Sequence, residues 1–475
     1  MISIQRQRTR YILADYLATN VAWMAFNVVR FHLLSVANMG FGSLHDYLLS
    51  ATVLAGQVIF PLLMLGIYWL SGYYNNVFRK SRISELLTTA STAIIGALLI
   101  FFAVLLNDMS DNLKLDWLLF AVLFGLLFVL VYVPRWAITS ATTRRIHSGE
   151  LGFGTLIFGT DADAAQFGRR ENVLRSMGFK VKGHVQVSPN DTIDPSLTAS
   201  TRIVRLDQLP EALTELEIRC LIVLPRPEGR KATLELVNNL FAHERPIYVL
   251  PDSQQQLLSV SRTQNIVGDP LVDISRSDMP QSTLNIKRVT DIIVSSLAIL
   301  LLAPVMAVLA AAVKLDSPGP AFYRQRRIGY HKRPFNIIKL RTMHTDAETA
   351  GPSLSLGDDD PRITRVGRML RKYRLDELPQ FVNVLRGEMS IVGPRPEREY
   401  YIRQIMERAP YYALLHQVRP GITSWGMVRY GYATTVDQMI ERLHYDILYL
   451  ENISIPVDIK IILYTINTVL KGKGK

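Results

Sequence analysis

The sequence predicts an α-helical membrane protein with α/β domains: four transmembrane helices, a Rossmann-like middle domain, a re-entrant membrane helix and a compact C-terminal α/β domain. Three observations predict this. Four apolar stretches of roughly 20 residues or more crowd the first third of the chain. From Gly154 the pattern changes to short apolar runs separated by polar helical stretches. A single long apolar stretch with a proline in its second half then precedes an arginine-rich C-terminal third.

Composition agrees. The chain has 475 residues, enough for two or three domains, and 49% of them are hydrophobic, which is high for a purely soluble protein. The lone cysteine, Cys220, sits in the apolar run Cys220-Leu221-Ile222-Val223-Leu224, so it reads as buried, and neither a disulfide framework nor a cysteine metal site can form. The net charge of +12 fits nucleic acid, an anionic lipid surface or phosphorylated substrates, and only its location can decide among them.

The first four stretches run over about Tyr11–Leu34, Tyr47–Tyr73, Leu86–Leu106 and Trp117–Thr139. Arg6, Arg8 and Arg10 precede the first, Arg79, Lys80 and Arg82 separate the second from the third, and Arg144 and Arg145 follow the fourth. The other two loops, near Ser35–Asp46 and Asn107–Asp116, hold only Lys114 as a basic residue, so both ends of the bundle are expected in the cytoplasm. The first segment is long and carries Asp15, Asn20 and Asn27, unlike a cleaved signal peptide. Asp15 and Arg30 are expected to pair with a neighbouring helix or to reach the interface, rather than to mark a transport path.

The middle domain is expected over residues 146–252. Its apolar runs are Thr155–Gly159, Ile203–Leu206, Leu221–Pro225 and Ile247–Pro251, the alternation of a parallel-sheet α/β domain. Its first turn, Gly159-Thr160-Asp161-Ala162-Asp163-Ala164, stands where a Gly-x-Gly-x-x-Gly fingerprint would cradle pyrophosphate. Asp161 puts a negative side chain where backbone should meet an anion, which disfavours dinucleotide binding.

A polar linker, 253–285, leads to the apolar stretch Val289–Val313 within 286–316. Basic residues flank it on both sides: Lys287 and Arg288 before, Lys314, Arg324, Arg326 and Arg327 after. A full crossing would carry the arginine-rich third, 317–475, outside the membrane against the positive-inside bias. A helix that enters, bends at Pro304 and leaves on the same face removes that conflict.

The C-terminal third carries the candidate chemistry. Tyr323–Gly329, Phe335–Met343 and Asp360–Arg368 each present cations, and Asp376-Glu377 is an adjacent carboxylate pair followed by Pro379 and, further on, by Gly393-Pro394-Arg395-Pro396. Two neighbouring carboxylates repel unless cations compensate, whereas arginines offer bidentate contacts to phosphate. Alone, the pair also fits a charged helix start.

Taken together, these motifs resemble the bacterial polyprenyl-phosphate hexose-1-phosphate transferases, whose large membranous members include the undecaprenyl-phosphate glycosylphosphotransferases. The likeness covers nearly the whole chain and is most specific from Lys287 to Pro396. It implies a catalytic sugar-1-phosphate transferase domain at 317–475, in the cytoplasm beneath a bacterial inner membrane. It implies a UDP-sugar and undecaprenyl phosphate as substrates, an anionic lipid membrane as surroundings, and the initiating step of exopolysaccharide, capsule or O-antigen synthesis. It further implies Asp376 as nucleophile, Glu377 as a holder of Mg²⁺, and Arg395 as a phosphate or nucleotide contact. Similar anion-binding roles follow for Lys339, Arg341, Arg362 and Arg326. Large members also suggest a homodimer, although no residue here shows one.

The stretch Arg419-Pro420-Gly421-Ile422-Thr423-Ser424-Trp425-Gly426-Met427-Val428-Arg429-Tyr430-Gly431-Tyr432 departs from the commoner family pattern, so no sugar identity is carried over. This loop reads equally as a substrate contact and as an aromatic surface turn. Beyond it, Asp437–Leu450 is expected as a helix and Ile453–Leu470 as an amphipathic one. A non-catalytic membrane regulator or scaffold of polysaccharide export stays open as the alternative. A sugar-nucleotide dehydratase or epimerase is disfavoured by Asp161, and nucleic acid binding by charge that follows membrane flanks and the carboxylate pair.

Overall fold

A computed structural model describes residues 4–33, 41–75, 77–78, 80, 82–105, 113–226, 228–250, 271–274, 279–347 and 360–471. The chain divides into two compact units, the first built mainly from 1–152 and the second from most of 153–475.

In the first unit, helices α1 (Ile4–Leu33), α2 (Ala51–Leu70), α3 (Arg82–Ile100) and α4 (Leu113–His147) are each long and apolar enough to cross a membrane. α1 and α4 contain the first and fourth expected spans within the described residues and extend beyond them into polar sequence, whereas α2 is shorter than the second span at both ends and α3 gives way to a π-helix, Phe101–Leu105, within the third. Apolar residues such as Leu13, Leu17, Ile59 and Leu62 face outward, while the buried interior is partly polar. Asp15 forms a bidentate pair with Arg135, at 2.7 and 2.8 Å, and accepts a 2.7 Å bond from the Tyr74 hydroxyl. Tyr73 donates to Glu85 at 2.6 Å, and Arg135 donates to Thr89 at 2.9 Å. A charge in an apolar bundle persists only when paired, and this network supplies the expected partner of Asp15. Arg30 donates to the Tyr47 hydroxyl at 3.3 Å.

The second unit begins with a six-stranded sheet: β1 (Phe153–Phe158), β2 (Phe179–Gln186), β3 (Arg202–Arg205), β4 (Ile218–Val223), β5 (Ile247–Val249) and β6 (Val272–Asp273). Its order is β3-β2-β1-β4-β5-β6, with β6 alone antiparallel. The central strands β1 and β4 are buried on both faces along most of their length, as a parallel sheet covered by helices requires. Two strands were not expected: β2, which Lys180, Lys182 and His184 disguise as polar, and β6, which falls in the predicted linker. After β1, the Asp161 carboxylate accepts from the Ala164 amide at 2.9 Å and caps the helix Ala162–Gly168. The place where a pyrophosphate would sit is thus occupied by the chain's own anion.

The fifth apolar helix, α5, runs from Gln281 to Asp316, starting five residues before the expected boundary. Pro304 lies inside it, and the helix is continuous through that position. Proline removes one backbone hydrogen bond, but the apolar residues on either side keep the remaining helix favourable. From Lys287 onward the helix belongs to the second unit, which grips it at two places. Near the start, Arg288 donates to the carbonyls of Val384 and Leu385 at 2.7 and 3.0 Å, Asp291 accepts from the Ile391 amide at 3.1 Å, and Lys287 pairs with Asp458. At the far end, Arg341 caps the carbonyls of Ser317 and Pro318, and Asp316 accepts from the Val366 amide at 2.9 Å. Between the two grips, Leu297, Leu300, Leu301 and Val308 are more than half exposed.

Then come the antiparallel pair β7 (Phe322–Ile328) and β8 (Pro334–Leu340), helices α6 (Arg365–Lys372) and α7 (Gln380–Arg386), and the short parallel strands β9 (Ser390–Val392) and β10 (Gly421–Thr423). The expected C-terminal helices are present as Val436–Glu451 and Ile455–Leu470. The buried side chain of Asn383 acts as a short extra strand along β8, donating to the Asn336 carbonyl at 2.8 Å and accepting from the Ile338 amide at 3.1 Å. Residues Ile459, Leu463, Ile466 and Leu470 leave an apolar stripe exposed on the last helix.

Candidate active site

Asp376 and Glu377 lie in a single 3₁₀ turn, Leu375–Glu377, between α6 and α7. The turn is entered through Arg374 in the left-handed region, φ +53°, a conformation costly for a side chain other than glycine. That conformation returns the Arg374 guanidinium onto Glu377, with Nε and Nη2 donating to Oε2 at 3.1 and 2.8 Å. The other oxygen, Oε1, accepts from Lys339 at 3.1 Å and Arg395 at 3.4 Å. Burial would raise the Glu377 carboxyl, but Arg374, Lys339 and Arg395 outweigh it and hold the group well below the usual range.

Asp376 has different surroundings. It lines a cavity of about 420 Å³, a size ordinary for a small-molecule site, and its carboxylate accepts no hydrogen bond from any described residue. Burial raises its pKa to about 6 against the pull of Lys339, with the adjacent Glu377 charge adding to the rise. At neutral pH the group is therefore ionised and held in place by position alone.

Among the described lining residues, seven cationic side chains stand against two carboxylates, Asp376 and Glu397. Arg395 reaches this wall because β9 and β10 approach very closely before its loop. A Cβ on Gly421 would meet the Gly393 nitrogen at 2.1 Å, so both positions require glycine. Tyr432 roofs the cationic group, its ring centroid 5.5 Å from the Arg374 guanidinium and 5.2 Å from that of Arg395.

A family described as bacterial sugar transferase matches residues 282–472, the segment that holds all of these groups. The exopolysaccharide production protein PSS of Rhizobium leguminosarum bv. phaseoli is 39% identical over 198 residues, which make up 40% of this chain and 98% of that protein. The chain belongs to the bacterial sugar transferase family. The UDP-N-acetylgalactosamine-undecaprenyl-phosphate N-acetylgalactosaminephosphotransferase of Aeromonas hydrophila is 43% identical over 189 residues, 40% of this chain and 44% of the relative. The UDP-glucose:undecaprenyl-phosphate glucose-1-phosphate transferase of Klebsiella pneumoniae is 35% identical over 292 residues, 61% of this chain and 62% of the relative. The chain thus spans about half the length of these two relatives.

Within this sugar transferase fold, Asp376, Glu377, Lys339 and Arg395 come together, and three other predicted cations have different surroundings. Arg341 lines the cavity, yet its guanidinium is spent on the last carbonyls of α5. Arg362 turns to the fully buried Asp360, with Nε and Nη2 donating to its two oxygens at 2.8 and 2.7 Å. Arg326 is exposed and out of phase with the cavity, because β7 alternates its faces and Tyr323, Gln325 and Arg327 take the inner one. Sequence reasoning gave no site role to Arg371, Arg374, Glu397 and Arg442; it placed Arg327 only within a cation cluster and Tyr432 only within the departing loop, and strand alternation could have singled out Arg327.

Mg²⁺ was expected on Glu377. Among the described residues there is no gathering of three or more His, Cys, Asp or Glu side chains that could cage a metal. An ion that arrives with a diphosphate needs only one or two carboxylates, and the unengaged carboxylate of Asp376 fits that requirement. Glu377, with both oxygens taken by cations, fits only by exchanging one of them.

Proposed function

We propose that this chain transfers a sugar 1-phosphate from a UDP-sugar to undecaprenyl phosphate, giving undecaprenyl-diphosphate-sugar and UMP. The product would begin a lipid-linked exopolysaccharide, capsule or O-antigen. The names of the Aeromonas and Klebsiella relatives support this reaction class. The observation that carries the reading is Asp376, an ionised carboxylate on a cation-lined cavity with no hydrogen bond to restrain its attack.

An ionised carboxylate needs no separate base. Asp376 attacks the sugar-bearing phosphorus, the bond to the UMP oxygen breaks, and the phosphosugar is esterified to the aspartate. A terminal oxygen of undecaprenyl phosphate then attacks the same phosphorus and returns the carboxylate. Lys339 and Arg395, oriented by Glu377, offset the repulsion between carboxylate and diphosphate. Mg²⁺, held by Asp376 or Glu377 when bound, would supply further compensation of phosphate charge.

The two grips on α5 support a helix that enters and leaves the bilayer on one face, because one globular unit holds Arg288 near one end and Asp316 at the other. This keeps the cavity at the inner leaflet, where a dissolved nucleotide and a lipid carrier can both reach it. A scaffold without chemistry would leave the cation-lined cavity unexplained.

The test is to incubate purified full-length chain with a panel of UDP-sugars in the absence of carrier. Intact mass should rise by one sugar phosphate, peptide mapping should place it on Asp376, and Asp376→Asn should show none. UMP release by a folded Asp376→Asn protein would remove the assignment.

A further inference from the structure

Beyond the groups around Glu377, the same cavity contains a second organised cation cluster. Arg327 Nη1 donates to Glu397 Oε2 and to the Pro396 carbonyl, each at 3.2 Å, and its Nη2 donates to Gln325 Oε1 at 2.6 Å. Arg442 Nη2 donates to the remaining oxygen, Oε1, of Glu397. Glu397 and Arg442 are each 5% exposed, and the Ile328 amide donates to the Glu397 carbonyl at 3.1 Å, so β7, the Arg395 loop and the helix Val436–Glu451 are tied at one point.

Glu397 is shared by two guanidinium ions, the buried Asp446 also lies beside Arg442, and the buried Nε of Arg327 has no hydrogen-bond partner. Leaving a buried charged donor unpaired is unfavourable, and an anion entering the cavity would recover the missing hydrogen bond. Burial pushes the Arg327 guanidinium down, further than Glu397 restores it, with Arg395 and Arg398 adding to the fall. Arginine forks match phosphate oxygens, so phosphate is the anion that the geometry best fits.

We propose that Arg327 and Arg442, clamped on the two oxygens of Glu397, form a second phosphate subsite in the cavity, separate from the one that Glu377 organises with Lys339 and Arg395. Glu397 is its positioning residue. The inference rests on the proposed reaction, which brings two phosphorylated substrates to one cavity. The phosphoryl group could come from the nucleotide or from the lipid carrier.

The two sources are separated by equilibrium binding to full-length chain in detergent, in an Asp376→Asn background that prevents turnover. The probes are UMP and a ten-carbon prenyl phosphate. Arg327→Gln is expected to weaken one probe or both by about tenfold or more. Loss for UMP alone assigns the subsite to the nucleotide, loss for the prenyl phosphate alone assigns it to the carrier, and loss for both makes it shared. Affinities for both probes within about twofold of the parent, in a variant with an unchanged unfolding temperature, would overturn the proposal. Where Arg327→Gln does not fold, Arg327→Lys keeps the charge and loses the fork. It should weaken the affected probe by about threefold, and no change for either probe again overturns the subsite. Glu397→Gln should weaken the same probe as Arg327→Gln, and weakening of only the other probe would remove its positioning role. Arg327-dependent binding in a chain that forms no adduct with any UDP-sugar would sink the reaction and leave the subsite standing.

Discussion

Asp376 and Glu377 are adjacent in one turn, yet only Asp376 lines the cavity, while both oxygens of Glu377 are bound by Arg374, Lys339 and Arg395. One carboxylate is kept unengaged and its neighbour is spent on arranging cations.

A pH dependence follows from that division. The Asp376 carboxylate must be ionised to attack, and its pKa is raised to about 6. The rate of UMP release at low substrate should therefore hold near neutral pH and fall about tenfold per unit below that value. Lys339 lowers the Asp376 pKa, so Lys339→Met should move the acid limb to higher pH. A limb that stays in place would show that another group controls it.

Glu377→Gln leaves three cations without their shared partner. Breaking a buried ion pair costs about 3–5 kcal/mol, so the unfolding midpoint of the variant should fall clearly below that of the parent. Its UMP release should also require more Mg²⁺. A Mg²⁺ titration that superimposes on the parent curve would remove any metal role from Glu377.

Strand alternation separates two neighbouring arginines. Arg326→Ala should change kcat/KM by less than about twofold, while Arg327→Gln should lower it by about tenfold or more, the usual worth of a charge-assisted hydrogen bond. Equal losses at the two positions would contradict the orientation of β7.

In the middle domain, Asp161→Ala removes a helix cap and should cost about 1 kcal/mol of stability in denaturant unfolding. Nucleotide titration of the same variant should show no gain in dinucleotide affinity at this domain. A large gain would mean that Asp161 masks a working site.

The membrane helices and most central strands were legible because hydrophobic length and short buried runs are local signals. β2 escaped because Lys180, Lys182 and His184 interrupt its pattern, although tertiary burial still makes it an inner strand. The carboxylate pair and Arg395 could be found from motif chemistry, whereas Arg374 could not, since its left-handed backbone is set by the turn as a whole. Arg341 and Arg362 carry the right charge, but a helix terminus and a buried aspartate 24 and 2 residues away claim them. Cation type is visible in sequence, and the partner that engages it depends on folding.

The two fastenings of α5 also fix a depth. Sliding this helix by a single residue, about 1.5 Å along its axis, would break the bonds of Arg288 and Arg341 together. In the proposed reaction the apolar midsection would work as a gauge whose reading is the height of Asp376 above the lipid, and a carrier of any tail length would present its head at the same level.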